Sequence, residues 1–302
     1  MTTIAVTGAQ GFIGRHLCAL ISRSELKYVA LSRQSLSAGG LTQELSGCSA
    51  VIHLAARAHV LHESASSADV EFRAANVTLT QRVAEAARSA GVRRFVFVSS
   101  AGVLGPASPA DGFDDTSPPR PHDAYTRSKL EAERWLTEEF SAALDVTIVR
   151  PPLVYGPGAR GNFDRLLRAV LSGWPLPVGA IDARRSMVGV RNLSDLLLRA
   201  ATSPRVAGAC MLVADEEMMT VGEFACAIAE SAGRKPRIVA VPLQVLKLGF
   251  AAVGRRADFV RLTQPFVLRA VQARRLLSWV PPYRMRDELD WTVAEVIGVR
   301  VT

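Results

Sequence analysis

Tyr125 and Lys129 stand four residues apart in the run AYTRSKLEAERWL, and Ser100 closes the run RFVFVSS. On a helix, positions i and i+4 share a face, so a phenol and an ammonium at this spacing reach one bound molecule. Such a set performs proton exchange at a carbonyl or hydroxyl oxygen. A tyrosine, with an ordinary pKa of about 10, becomes an effective acid or base when nearby positive charge lowers that value. Ser100 would hydrogen-bond the reacting oxygen and hold it in position. The bland readings are a helix-capping serine and a solvated Tyr/Lys pair. Against them stands the scarcity of lysine, which occurs only at 27, 129, 235 and 247 among 36 Lys+Arg. A compact ammonium that hydrogen-bonds vicinal hydroxyls is not replaced by a planar guanidinium.

The elements that must position these groups begin with a glycine loop. TGAQGFIG, residues 7–14, follows the strand-like run Thr3–Val6 and opens the helix pattern Ile13–Ser22. Its glycines remove the Cβ atoms that would block a tight turn and a pyrophosphate, while the first N–H groups of the helix face the anion. The loop predicts dinucleotide binding through Gly8, Gln10, Gly11, Phe12, Ile13 and Gly14. After the next strand, where a carboxylate would bind the adenosine ribose hydroxyls, the chain offers Ser32 and Arg33. A guanidinium pairs with a 2′-phosphate and a carboxylate repels it, so NADP(H) is favoured and NAD(H) stays possible. A solvated surface arginine is the competing reading. The segment from Arg33 to Val51 is short, and no acidic adenine contact is found in it.

Short β-branched runs at Tyr28–Leu31, Ala50–Leu54, Arg94–Val98 and Val146–Val149 alternate with helix patterns at Thr78–Ala90 and Ser128–Phe140. Continuous apolar strands joined by crossover helices imply an α/β, Rossmann-type, doubly wound parallel sheet. After Arg150 the rhythm changes to Pro/Gly-rich segments, a helix over Asn162–Leu171 and a strand over Pro175–Val178. Helices over Asn192–Ala201, Val221–Ala232, Val245–Ala252 and Arg284–Ile297 and a strand over Met211–Ala214 complete the reading. The expected division is a dinucleotide-binding domain over 1–158 plus 191–215, with a smaller C-terminal substrate lobe over 159–190 plus 216–302.

Composition narrows the partners. With 49% hydrophobic and 21% charged residues, the chain folds rather than remaining disordered. A formal charge of +8 points to an anionic partner. The arginines are scattered among carboxylates without aromatic interleaving, which argues against nucleic acid. The apolar stretch Val241–Val253 is interrupted and too short to span a bilayer, so no membrane partner is expected. The four cysteines lack metal-ligand spacing, and His59 and His62 have no second ligand pair, so no metal is expected. With no export signal, the expected location is cytoplasmic.

The chain resembles the extended short-chain dehydrogenases, the nucleotide-sugar epimerase/dehydratase/reductase group. The resemblance is carried by TGAQGFIG, VIHLAA (51–56), Asn76-Val77, VSSAGVLG (98–105), YTRSK (125–129), RPPLVYGPG (150–158), GNF (161–163), PLPVG (175–179) and RRSMVGVRNLSD (184–195). It implies that Ser100, Tyr125 and Lys129 are catalytic, and that Leu54, Ala55, Ala56 and Pro152 line the cofactor. It also implies that Asn162 and Arg185 bind the substrate diphosphate, with Arg261 a second candidate and Val178 beside the uracil. Arg185 has a structural ion pair as its competing role. A homodimer through the helices starting near Asn76 and Tyr125 is implied as well. Related 4,6-dehydratases carry an Asp-Glu pair after the Ser/Thr, because eliminating water needs a further acid and base. Ala101 and Gly102 stand there in this chain, which argues against dehydration. The segments 55–63 and 161–186 look most like UDP-N-acetylquinovosamine-type 4-ketoreductases. The resulting expectation is NADPH-dependent reduction at C4 of a UDP-4-keto-6-deoxy-N-acetylhexosamine. The alternatives are an NAD-dependent UDP-hexose 4-epimerase and, more remotely, a non-catalytic NADP(H)-binding regulator.

Overall fold

The computed structural model describes residues 2–37, 39–57, 65–140 and 143–298. The chain runs β1 (Thr3–Thr7), α1 (Phe12–Ser22), β2 (Lys27–Leu31), α2 (Arg33–Ser37), α3 (Leu41–Glu44), β3 (Ala50–His53) and α4 (Ala65–Arg73). A π-helical turn, Ala74–Thr78, leads into α5 (Leu79–Ser89), β4 (Arg94–Val98), a 3-10 turn Ala101–Leu104, β5 (Phe113–Asp114), α6 (Ala124–Phe140) and β6 (Asp145–Arg150). Then come β7 (Leu153–Tyr155), α7 (Asn162–Leu171), β8 (Arg185–Gly189), α8 (Val190–Thr202), β9 (Cys210–Leu212), β10 (Met218–Met219) and α9 (Val221–Ser231). The last elements are α10 (Leu243–Ala252), α11 (Arg256–Thr263), β11 (Leu268–Arg269), α12 (Gln272–Leu277) and α13 (Met285–Ile297).

Six parallel strands form the central sheet in the order β2-β1-β3-β4-β6-β9. Alternation along each strand sends side chains to opposite faces, so one strand feeds two cores. Ile4, Val6, Ile52 and Val96 pack with Leu17 and Ile21 of α1 and Leu193 and Leu197 of α8. Ala5, Val51, Phe95 and Phe97 pack on the other face with Val83 of α5 and Leu136 and Phe140 of α6. The chain leaves β1 toward β2 on one side and enters β3 on the other. The carboxyl ends of β1 and β3 therefore frame the switch point at which doubly wound sheets bind ligands.

The second half departs from expectation in its strands and in the unforeseen helices α11 and α12. Pro175–Val178 is not a strand: Leu176 alone makes a bridge, to Ile238, and the residues after it turn. Pro175 and Pro177 lack the N–H groups a ladder needs. A three-stranded sheet that the sequence pattern did not predict has β8 in its middle, parallel to β7 and antiparallel to β10. It borders a third core of Tyr155, Phe163, Phe224, Ile228, Met285 and Leu289. Helix α6 begins at Ala124, one turn before the apolar pattern Ser128–Phe140, so Tyr125 and Lys129 are both helical. Asp123 accounts for that start, because its Oδ1 accepts from the Thr126 N–H at 2.8 Å and caps the first turn.

Candidate active site

The glycine loop closes on itself before any ligand is considered. Gly8 has φ 67°, and a Cβ there would lie 2.9 Å from the Ala55 nitrogen. A Cβ on Gly14 would lie 2.2 Å from the Gly8 carbonyl oxygen, so α1 approaches β1 as closely as backbone permits. Gly11 differs: it is exposed, and a Cβ there would meet only the Gly8 oxygen, at 3.1 Å. Gly8 and Gly14 thus build the turn, and Gly11 leaves open the face beside the first N–H groups of α1, those of Phe12 and Ile13. Such a cradle fits a pyrophosphate. Gln10 is exposed at its rim.

Leu54 and Ala55 are fixed against this loop by Thr7, whose Oγ1 accepts their N–H groups at 3.1 and 3.0 Å. With both acceptor sites occupied, the Thr7 hydroxyl donates to His53 Nδ1 at 2.8 Å. His53 Nε2 then donates to Thr80 Oγ1 at 3.0 Å, and Thr80 donates to the Asn76 carbonyl at 2.6 Å. Buried among these partners, His53 has its pKa pushed down to about 3, mainly by desolvation. Ala56 is exposed on the open side of the same segment.

Ser100, Tyr125 and Lys129 come together at the carboxyl end of β4. Ser100 follows that strand and caps the 3-10 turn, its Oγ accepting from the Gly102 N–H at 3.1 Å. The capping role set against it in the sequence is therefore real. The same hydroxyl is close enough to Tyr125 to pull the phenol's pKa down. Lys129 lies one turn along α6, 1% exposed, with Nζ 4.2 Å from the centroid of the Phe97 ring. Pro152 follows β6 where the Pro151 carbonyl accepts the Ala101 N–H at 2.8 Å, which sets it beside the serine turn.

Burial pushes the Tyr125 phenol up to about 12, the Asp123 charge adds to the rise, and the Ser100 hydroxyl opposes it. Burial pushes Lys129 down to about 7, against the pull of Glu133. In the chain alone the phenol therefore keeps its proton, and the lowering expected from Lys⁺ and the oxidised cofactor would act against this burial. Glu133 is itself clamped by Arg150, which donates from Nε at 3.0 Å and from Nη2 at 2.5 Å in a buried two-pronged pair. The helix carrying Tyr125 and Lys129 is thereby tied to β6.

Around the triad, the proposed substrate groups fall on different elements. Arg185 opens β8, and its Nη1 donates to the carbonyls of Arg261 and Gln264 at 2.6 and 2.9 Å. It is neither free nor in an ion pair there, and instead it satisfies the carboxyl end of α11. Arg261 Nη2 lies 3.5 Å from Asp123 Oδ2, which brings it to the start of α6. Asn162 begins α7, with its Oδ1 accepting from Arg165 at 2.6 Å. Val178 is 8% exposed and packs with Ile181 and Leu246, so its side chain is core and only its backbone can face a base. Ser32 caps α2 through the Ser35 N–H at 3.0 Å. The Arg33 side chain lies outside the described residues, as do His59 and His62.

Sequence reasoning missed Asp123, Glu133 and Arg150, which act on the Tyr125 helix from positions remote in the chain or unremarkable in type. It also missed Asp215, which accepts from Tyr155 Oη at 2.7 Å, Asn192 Nδ2 at 2.8 Å and the Gly189 N–H at 3.0 Å. That cluster anchors β8 and α8 behind the site. An aspartate right after the last strand of the main sheet was the available signal.

The profile of the NAD dependent epimerase/dehydratase family matches residues 4–212, from β1 to β9. A UDP-glucose 4-epimerase of Vibrio cholerae is 31% identical over 309 aligned residues, covering 96% of this chain and 94% of the relative. Among solved structures, MoeE5 in complex with UDP-glucose and NAD superposes with a TM-score of 0.77 at 25% identity, over 98% of this chain and 99% of that one. RMD from Pseudomonas aeruginosa, complexed with NADPH, superposes with a TM-score of 0.75 at 22% identity, over 98% and 99%, a likeness of fold. With most of its length under one profile and a relative aligned nearly end to end, the chain belongs to the NAD dependent epimerase/dehydratase family.

Proposed function

We propose that the chain is a nicotinamide-dependent oxidoreductase acting at C4 of a UDP-linked sugar, in the form of an NADPH-dependent 4-ketoreductase for a UDP-4-keto-6-deoxy-N-acetylhexosamine. The observation that carries this reading is Tyr125 and Lys129 one turn apart on α6, with Lys129 over Phe97 of β4 and Ser100 just beyond that strand, and with Ala101 and Gly102 where dehydration would need acids. The loop from Gly8 to Gly14, with Leu54–Ala56 and Pro152, would hold the dinucleotide, and Lys129 its ribose hydroxyls. When bound, the dinucleotide would supply the hydride for C4. Tyr125 gives its proton to the oxygen of the same carbonyl, Ser100 holds that oxygen, and the charge of Lys129 stabilises the phenolate left behind. Asn162, Arg185 and Arg261 are the proposed diphosphate contacts and Val178 the uracil neighbour, and a homodimer formed through α5 and α6 belongs to the same reading.

A second reading, an NAD-dependent UDP-hexose 4-epimerase, is favoured by the V. cholerae relative. The same groups would take the C4 hydroxyl proton first and return it later. One experiment separates the two. The purified protein is assayed for released NAD⁺ and for interconversion of UDP-glucose and UDP-galactose without added cofactor, then for NADPH oxidation with the 4-keto sugar. Stoichiometric NADPH loss with no retained NAD⁺ is expected, and self-sufficient interconversion would overturn the reductase. Light scattering that gives a monomer at micromolar concentration would remove the dimer.

A further inference from the structure

The surface from Arg234 to Arg261 differs from the rest of the chain in two respects at once. It carries seven cations and one carboxylate, Asp258, in a protein whose whole formal charge is +8. Its apolar side chains also face outward. α10 reads LQVLKLGFAA, and only Leu246 of it is buried. Leu248 is 71% exposed and Val245 55%, and Val253 and Val260 continue the patch toward and along α11, which buries none of its residues. The pair of helices is held to the body mainly by Leu246 on Val178 and Ile181, with Phe259 and Leu262 beside them. Trp174, 68% exposed, shares a surface hollow with Lys235 and Arg237 at the edge of the same region.

We propose that α10 and α11 form an interfacial anchor that seats on an anionic phospholipid bilayer. An apolar face of this extent, rimmed by charge, marks a partner. Charge complementarity selects which one. Even with Arg255 paired to Asp258 and Arg261 to Asp123, a second copy of the same face would set an excess of cations against its like, so self-association through it is disfavoured. An anionic bilayer offers an apolar layer for Val245, Leu248 and Val253 and, directly above it, phosphates for Lys247 and Arg256. An exposed tryptophan beside basic residues suits the headgroup layer. At ten residues, α10 is about 15 Å long, so it lies in the plane of the interface rather than crossing it. No helix among the described residues is long and apolar enough to cross a membrane. The expectation of no membrane partner was an argument about spans, and an interfacial helix needs none. Because Arg261 near the end of α11 lies 3.5 Å from Asp123, the docked face reaches the start of the helix that carries Tyr125. The proposal concerns where the protein sits and is independent of which sugar it turns over.

Co-sedimentation of the full chain with vesicles tests it, using phosphatidylcholine alone and with roughly one-third phosphatidylglycerol, at about 0.15 M salt. Binding is expected only with the anionic vesicles, together with a blue shift of tryptophan emission that Trp174→Phe removes. Val245→Asp/Leu248→Asp and, separately, Lys247→Glu/Arg256→Glu should each weaken binding about tenfold or more. Arg23→Glu/Arg205→Glu changes net charge equally at exposed arginines elsewhere and should leave binding within about twofold. Any of three results overturns the proposal: no binding by the wild type, equal loss in the Arg23/Arg205 control, or undiminished binding by the aspartate pair. A wild-type dimer that the aspartate pair converts to a monomer would assign the face to a second copy and overturn it as well. Thermal melts of each variant keep these outcomes separate from unfolding.

Discussion

Arg261 reaches Asp123 across the gap between α11 and α6, with Nη2 3.5 Å from Oδ2, while Asp123 Oδ1 caps the helix that carries Tyr125. One carboxylate therefore does two separable things. Asp123→Ala should lose the cap and about 1 kcal/mol of stability, measured by urea denaturation. Asp123→Asn should keep most of the cap and lose the charge. Because that charge raises the Tyr125 pKa, the asparagine variant should titrate its tyrosine at lower pH. An unchanged tyrosine titration would remove Asp123 from the tuning of the phenol.

Lys129 gives a stability signature with a defined sign. Its pKa in the folded chain is about 7, below the ordinary 10.5. Between those values the unfolded chain binds the extra proton, so stability contributed at this position rises with pH across the window and is least below it. Lys129→Met should be relatively most stable near pH 7 and lose that advantage toward pH 10. Parallel denaturant curves for wild type and variant without ligand would show this, and a pH-independent difference would refute the shift.

The Glu133–Arg150 pair is the strongest point of failure in the helix–sheet contact. Glu133 is 3% exposed and Arg150 9%. Arg150→Ala strands a buried carboxylate and should cost about 3–5 kcal/mol. Arg150→Met/Glu133→Leu should recover most of that loss, because breaking one partner is worse than replacing both with apolar groups. Denaturation midpoints of the three variants check the order.

The glycine loop predicts two distinct phenotypes. Gly14→Ala drives a Cβ to 2.2 Å from the Gly8 oxygen and should lower the melting temperature sharply. Gly11→Ala meets only one atom, at 3.1 Å. It should fold near normally and bind NADPH or NAD at least tenfold more weakly. Calorimetric binding beside a thermal melt distinguishes the two, and equal melting temperatures would contradict the division of labour.

What the sequence disclosed follows the reach of its signals. Gly8, Gly11 and Gly14, and Tyr125 with Lys129, act within one turn of chain, so spacing alone places them. The six-stranded sheet was legible because each strand is an apolar run bounded by helix patterns. Arg261 and Asp123 are far apart in sequence and ordinary in type, and only the packing of α11 brings them together. The same holds for Arg150 on Glu133. Pro175–Val178 reads as apolar and extended, yet its prolines leave it one bridge to Ile238. The direction of the Tyr125 shift was illegible for another reason: desolvation depends on the whole surrounding shell, which no motif contains.

The Thr7–His53–Thr80 chain of hydrogen bonds carries a last consequence. Every donor in it points the same way, ending on the Asn76 carbonyl, so the ring of His53 has one permitted tautomer and no room for a second proton. Protonation would face its Nδ1–H against the Thr7 hydroxyl hydrogen, and turning that hydroxyl would free the Leu54 or Ala55 N–H. A fully buried histidine behind the glycine loop thus works as a latch that holds only while neutral. Its contribution to stability is whole above the ordinary pKa of 6.5 and drains away as the pH falls toward about 3, so acid loosens β1, β3 and α5 together.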